Sequence, residues 1–429
     1  MNPIKVGFAD EIITPQLNGI FLDGYGHRIT PATGVRDELH AKVMALSDGV
    51  NTHLLFALDL IGLNPRLYTL VSHQIADLTD VPVSHISLVC IHTHAAPQAG
   101  ILDEMPINTD YFAYVGELCG RAALRAMERA CPCTVRAAVL PEELKHIFNR
   151  RGRPFIDRRI KAAAFYDEVG ALRGVICNAA CHAVINTEFA VSADWLAELN
   201  AISCDEVPYL FFQGRAADIN PWQDEGMDID AFITTLGREL SEPVAAFAAA
   251  DYQRTSLQGS IVTHYEMVRI PMLAMGVEEL REQVKHWSDL YFSLPIEDWN
   301  KHYYLRELQW ARHMLAIAER GESFDIEVPL QLLTVGDAFA FALVPFELLT
   351  LPGERIEDVL RRAGFAEQGI YVCGYANSLN GYLAPPEEFE VGGYEVGGAA
   401  HWYNIPQTSP ASAPAVVAWF EKNVGSDQK

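Results

Sequence analysis

Residues 85–97 read His-Ile-Ser-Leu-Val-Cys-Ile-His-Thr-His-Ala-Ala-Pro. A short apolar run leads straight into two histidines and a turn of small residues. Such a run is too short for a core helix and reads as a buried strand. Side chains at i and i+2 of a strand face the same way, so His92 and His94 are expected to share one face. Two imidazoles there suit a metal ligand and a neighbour that polarises substrate or moves protons. A lone H-x-H also fits an ordinary strand end, and this segment alone does not decide between them.

Other segments repeat the arrangement. Residues 174–182 form an apolar run ending on His182, residues 338–347 one ending near Glu347, and residues 370–377 one entering a polar loop that contains Tyr382. In open α/β sheets, sites assemble beyond the carboxyl ends of strands, so these polar residues could converge. Pattern alone does not say which Tyr or Glu joins. Strands are expected over 52–60, 85–91, 175–182, 209–212, 339–344 and 370–373. Helices are expected over 111–130, 229–249, 277–291, 303–319, 353–363 and 412–422. No repeat, low-complexity tract or Gly/Ser linker divides the chain. The expected fold is α/β, mixed β-sheets covered by helices, in a single catalytic domain over 1–429. Residues 277–322 are helical by pattern and rich in Trp287, Tyr291, Phe292, Trp299, Tyr303, Tyr304 and Trp310. They read either as a helical hairpin packing its aromatics into the core, or as a cap, insertion or oligomer contact that shapes a pocket.

The 429 residues carry a formal net charge of −24 and are 50% hydrophobic. That is a globular composition, and the charge argues against unaided binding to nucleic acid or anionic membrane. No apolar stretch approaches the roughly 18 residues that span a bilayer, and the N-terminus lacks a signal peptide's apolar region. A cytoplasmic location is the expectation. The 8 cysteines fit it: Cys90, Cys177, Cys181, Cys204 and Cys373 lie in or beside apolar runs, and the spacings around Cys131 and Cys133 are not those of a zinc ribbon. Buried or inert thiols are expected, rather than structural disulfides or thiolate ligands.

Several signatures are absent. There is no G-x-S-x-G, G-x-x-x-x-G-K, G-x-G-x-x-G or H-E-x-x-H, and the one S-x-x-K falls at residues 426–429 of the tail. Their absence weakens serine-hydrolase, nucleotide-binding, dinucleotide and zincin readings.

The ordered motifs resemble the neutral/alkaline ceramidase family of zinc amidases. Residues 34–41, Gly-Val-Arg-Asp-Glu-Leu-His-Ala, are similar to its G-V-H-D-P-L-Y-A, and residues 91–97 to its T-H-T-H-S-G-P. Asn149-Arg150 falls where the family has N-R-S-P, and Cys181-His182 and Ser192-Ala-Asp194 match its second histidine and the S-A-D after it. Residues 346–353 resemble G-E-F-T-T-x-x-G, and residues 377–382 resemble N-x-Y-x-x-Y. Pro386-Glu-Glu-Phe389 and Tyr394-Glu395 resemble T-x-E-E-Y and Y-E. The resemblance implies one Zn²⁺ per chain held by His92, His182, Glu347 and Tyr382. Imidazole and carboxylate suit zinc, and a bound cation favours the phenolate form of a tyrosine.

Two departures matter. The family's nucleophilic serine lies in G-D-V-S-P, and the matching run here is Ala217-Asp-Ile-Asn-Pro221, with Asn220 in its place. The ceramidases are also longer, secreted and extended by a C-terminal β domain, so this chain resembles a short intracellular member and ceramide itself is not the expected substrate. The expectation is a zinc-dependent hydrolase that cleaves an amide C–N bond of a small soluble N-acyl compound by metal-activated water. An esterase or lactonase using the same site, and a metal-binding protein without catalysis, are the alternatives. His94 would stabilise the oxyanion or relay a proton, Asn220 would position substrate, and Asp194 and Asp218 (with Asp59 a weaker candidate) would orient ligands or water. Residues 149–161 form a basic cluster, expected to be a solvated face, in which Arg150 could clamp a substrate carboxylate. A small molecule is the expected partner, and a homo-oligomer is compatible with the composition.

Overall fold

The apolar run at 86–90 forms a strand buried at every position, parallel to Thr52–Leu58. A parallel pair needs a long crossover, supplied here by the helix Pro65–Thr79, whose Leu67 N–H donates to the capping Asn64 side chain. The computed structural model describes residues 3–100, 106–251, 253–295, 297–298 and 300–424. Trp299 and residues 426–429, named above, lie outside them. His40–Ser47, Lys5–Ile12 and Cys131–Pro132 complete a five-stranded sheet.

A second five-stranded sheet runs Tyr209–Gln213, Leu172–Ala179, Arg159–Tyr166, Thr134–Glu143, Thr255–Ser256, with its first two strands parallel. A third, of four strands, runs Ile261–Ile270, Ile326–Val335, Phe339–Leu343, Ile370–Cys373, with its last two parallel. Each sheet alternates its side chains with period two. Phe8, Met44 and Leu55 of the first, Phe165 and Phe212 of the second, and Phe341 and Tyr371 of the third meet in one common core. On the opposite face of the first sheet, Val43, Ala45, Leu54 and Phe56 pack under Pro65–Thr79 and Thr109–Glu128. Gly7 permits that approach, since a Cβ there would come within 1.9 Å of the Ala126 carbonyl oxygen. Helix Ile229–Ala249 joins the same core, and helices Thr350–Arg362 and Ser412–Val424 cover the outer face of the third sheet. The expected class, mixed sheets covered by helices, is the observed one. No helix among the described residues is long and apolar enough to cross a membrane.

Three expectations need correction. The hairpin at 277–322 exists as Val277–Ser293 and Asn300–Glu319, yet of its described aromatics Trp310 alone is fully buried. Trp287 stands against Tyr303 and Tyr304 at 6.1 and 6.0 Å, and Phe292 is 71% exposed. Each helix spends part of its apolar stripe on the other, which leaves few aromatics for the core. The basic stretch is not a solvated face. Arg151 and Arg153 pair with Glu388, Arg151 also with Glu395, and Arg159 and Lys161 with Glu357. Carboxylates distant in sequence meet it. The eight cysteines are free thiols as expected, but Cys204 is exposed.

Candidate metal centre

The three sheets each send one strand end to the same place. The first strand stops at Cys90, and His92 adopts a left-handed φ of 66°. His92 and His94 therefore do not share a strand face. They meet because a loop folds them together, with the His92 N–H bonded to the Leu60 carbonyl and the His94 N–H to the Ala183 carbonyl, both at 3.0 Å. The second sheet's strand Leu172–Ala179 ends three residues before His182, whose N–H donates to the Ile219 carbonyl at 3.0 Å. The third sheet leads to Glu347–Leu348, a short strand parallel to Tyr382–Leu383 in which Glu347 and Tyr382 are register partners. Tyr382, expected in a loop, is thus held to Glu347 through the backbone.

The rings are oriented from behind. His92 Nδ1 faces the Ile61 carbonyl at 2.7 Å, His182 Nδ1 the Ala216 carbonyl at 2.7 Å, and His94 Nδ1 the Gly24 carbonyl at 3.1 Å. A carbonyl only accepts, so each Nδ1 carries the proton, and in a neutral ring Nε2 is left as a lone pair. These three Nε2 atoms point inward, that of His94 lying 3.2 Å from that of His92. Glu347 Oε2 lies 3.4 Å from His92 Nε2 and 3.2 Å from His182 Nε2. The imidazoles of His92, His94 and His182 have ligand atoms within 4.8 Å of one another, and the group could hold a metal ion. His92, His182 and Glu347 are at most 2% exposed, whereas His94 is only partly buried.

Buried polar atoms are nearly always paired. His182 Nε2 and Glu347 Oε2 have no hydrogen-bond partner, and with each Nδ1 committed to a carbonyl the Nε2 atoms that face the carboxylate are lone pairs in the neutral rings. Burial, followed by the neighbouring imidazoles, pushes His94 well below its ordinary value, and burial pulls His182 down to about 4. Burial alone would raise the Glu347 carboxyl, but His92 and His182 beside it hold it well below the usual range. The Glu347 carboxylate thus lies among the Nε2 atoms of His92 and His182. A divalent cation is what such a donor set fits.

The surroundings are shaped to the cluster. Gly24 has φ +91°, and a Cβ there would come 2.4 Å from the His94 ring. The Tyr375 ring lies 4.2 Å from that of His92, and Tyr375 itself adopts φ 55°. Arg28, 1% exposed, donates to the carbonyls of His94 and Asn186. Tyr403 Oη donates to Glu347 Oε1. Burial, then the Glu347 charge, holds that phenol well above its usual value, so it keeps the proton. Tyr403, Tyr375 and Arg28 were not singled out in the sequence, where nothing around them repeats a strand-end pattern.

The other expected residues lie around this group at different removes. The Arg150 guanidinium sits 5.4 Å from the centroid of the Tyr382 ring, its Nε donates to Glu395, and its Nη2 is buried without a partner. Asn220 follows Ile219, the residue that holds His182, and its Oδ1 is buried without a partner. Asp194 accepts from the N–H groups of Asn186 and Trp195, while the Trp195 indole donates to the His182 carbonyl. Asp218 accepts from Asn149 and from both Thr350 N–H and Oγ1. Both aspartates are bonded to flanking loops rather than to the imidazoles. Asp59 accepts from His40 and Asn200, away from the cluster.

No family model matches the chain, and no curated protein matches its sequence. Among solved structures the fold is similar to that of neutral ceramidase from Pseudomonas aeruginosa, with a TM-score of 0.75 and 18% identity over 99% of this chain and 74% of that one. It is also similar to a ceramidase complexed with C2, with a TM-score of 0.72 and 16% identity over 99% of this chain and 75% of that one. The ceramidase-like fold that the motifs implied is the fold the chain has.

Proposed function

We propose that this chain is a zinc-dependent hydrolase that cleaves the amide C–N bond of a small soluble N-acyl compound. One observation carries the reading: Nε2 of His92, His94 and His182 and Oε2 of Glu347 converge, and His182 Nε2 and Glu347 Oε2 are buried with no hydrogen-bond partner. The likeness in fold to ceramidases supports an amide as the bond cleaved. We assign His92, His182, Glu347 and Tyr382 as the ligands of one zinc per chain. Burial, then the Glu347 charge, raises the Tyr382 phenol well above its usual value, and a cation beside it favours the phenolate.

Zinc held there would supply Lewis acidity towards the scissile carbonyl and would lower the pKa of a bound water. The chain's own groups do the rest. His94 is the most open of the three imidazoles, and its Nε2 lone pair can take a proton from the attacking water and return it to the leaving nitrogen. Asn220 has no nucleophilic oxygen of the serine kind, and its carboxamide N–H groups can stabilise the oxyanion. Arg150, with Nη2 unpaired, can hold a carboxylate on the substrate. The depth of the cluster supports a small substrate.

Protein purified without chelator should carry about one zinc per chain, as one four-ligand set implies. His92→Ala and His182→Ala should each lose most of it and remain folded. Matched amide, ester and lactone panels should favour the amide in kcat/KM. Unchanged zinc in both variants by elemental analysis, or turnover confined to esters, would oppose the reading.

A further inference from the structure

The loop after Ala399–Trp402 is held from one side by the helical pair at 277–322. The Trp310 and His401 rings stack at 3.7 Å, and the Trp310 indole donates to the Ile405 carbonyl at 2.8 Å. Glu307 Oε2 meets His401 Nδ1 at 2.5 Å, and the Arg306 guanidinium lies 3.0 Å over the Trp402 ring. Arg306 and Glu307 are 3% and 2% exposed, so these contacts are made deep in the protein. Asn404 then takes a left-handed φ of 50°, which turns the chain back after Tyr403. The residue delivered by this framework is Tyr403, whose hydroxyl reaches Glu347 Oε1.

We propose that Tyr403 is a positioning residue for the metal: it binds one oxygen of Glu347 and thereby presents the other to His92 and His182, with helix Asn300–Glu319 as the brace that sets it. The inference rests on the zinc-site reading above. A carboxylate with both oxygens free rotates between one-oxygen and two-oxygen ligation. A hydrogen bond to Oε1 removes that choice and leaves Oε2 as the single ligand atom. This gives the aromatic-rich helical pair a function at the site although its rings do not reach the imidazoles of His92, His94 and His182. It also accounts for the buried Arg306 and Glu307 in a helix whose first turns are otherwise solvated.

The test is zinc affinity, measured by chelator competition on wild type, Tyr403→Phe, Glu347→Gln and the double variant. Outer-shell partners of a metal site are typically worth about 10–100-fold in affinity, so Tyr403→Phe should weaken the zinc Kd by about that factor. In the Glu347→Gln background the same change should alter Kd by no more than about twofold, because the partner it positions is already altered. The metal-free Tyr403→Phe protein should keep the far-ultraviolet circular dichroism of wild type. Wild-type affinity in Tyr403→Phe, equal weakening in both backgrounds, or loss of the metal-free fold would each overturn the proposal. A wild-type protein that binds no zinc would instead remove the metal reading on which it depends.

Discussion

Replacing Glu347 by glutamine should stabilise the metal-free protein and weaken its hold on zinc. At pH 8, above the ordinary imidazole range, Oε2 of Glu347 faces the Nε2 atoms of His92 and His182 at 3.4 and 3.2 Å with no donor between them. Leaving a buried acceptor unsatisfied costs about 1–3 kcal/mol, more when it is charged. The glutamine amide supplies two N–H groups at that position, and its carbonyl can still accept from Tyr403. A gain of about 1–3 kcal/mol follows. With an unfolding entropy of about 2.1 cal/mol/K per residue over 429 residues, about 0.9 kcal/mol/K in total, the melting temperature of the chelated protein should rise by about 1–3 °C.

With zinc the order should invert. A ligand present at about 1,000 times its Kd stabilises by about 4.1 kcal/mol, and a Kd weakened about 1,000-fold by the loss of a direct ligand leaves about 0.4 kcal/mol at the same concentration. Thermal melts of both proteins, each with chelator and with zinc, therefore give lines that cross. A glutamine variant that melts below wild type in chelator would show that Oε2 already has a donor in solution, and the account of that oxygen as an unsatisfied acceptor would fall.

His94→Ala should retain zinc by elemental analysis but lose about 10²–10⁴-fold in kcat, the usual worth of a general acid–base group; metal loss here with retention in His92→Ala would reverse the two roles. Asn220→Ala should lose about 10²–10³-fold in kcat, as one oxyanion donor typically contributes, with zinc content unchanged; near-wild-type kcat would place the residue outside the chemistry. Glu357, buried against Lys161, Arg159 and Arg215, is held down to about 2 despite the opposing effect of burial. Its folded value lies below the ordinary carboxyl value of 4.5, so its stabilisation is present above pH 4.5 and is lost as pH falls towards 2. A shift of that size corresponds to about 3 kcal/mol. Denaturant melts should show Glu357→Gln behind wild type by about that much at pH 7 and level with it near pH 2, and a gap independent of pH would refute the assignment.

The polar residues that end apolar strands were legible because burial writes them into sequence. His92, His182 and Glu347 each follow a run that can only be a core strand, and all three reach the cluster. The link between them was not legible, because it is made by the packing of three sheets on one core and by backbone no pattern announces. The left-handed turn at His92 is such a case: it undoes the i, i+2 argument for His94 and brings the two rings together by another route. Tyr403 lies 56 residues beyond Glu347 and is delivered by a helix whose apolar pattern speaks only of packing. The strand Arg159–Tyr166 escaped notice for an electrostatic reason. Arg159 and Lys161 look solvated in sequence, and their partner Glu357 is supplied from almost two hundred residues away.

Among the described residues the non-glycine left-handed backbones are His92, Tyr375 and Asn377 in the loops that meet at the cluster, Asp194 behind His182, Asn404 beside Tyr403, and Asp80 at a helix end. Such conformations cost about 1–3 kcal/mol each and persist where the surroundings over-determine them. The surroundings do so here. Cys90 N–H bonds to the Tyr375 carbonyl at 3.1 Å and Asn377 N–H to the Leu88 carbonyl at 2.6 Å, which ties the first sheet to the loop of the third. The Asp194 carboxylate binds the Asn186 N–H at 2.6 Å and holds the loop behind His182. A packed protein has no reason to maintain strained turns so that acceptors may face one another, unless something it binds repays the arrangement. On the zinc-site reading proposed above, that return comes from a bound cation and the groups set around it. The same strain that makes the metal-free site unfavourable therefore argues for what the site is built to hold.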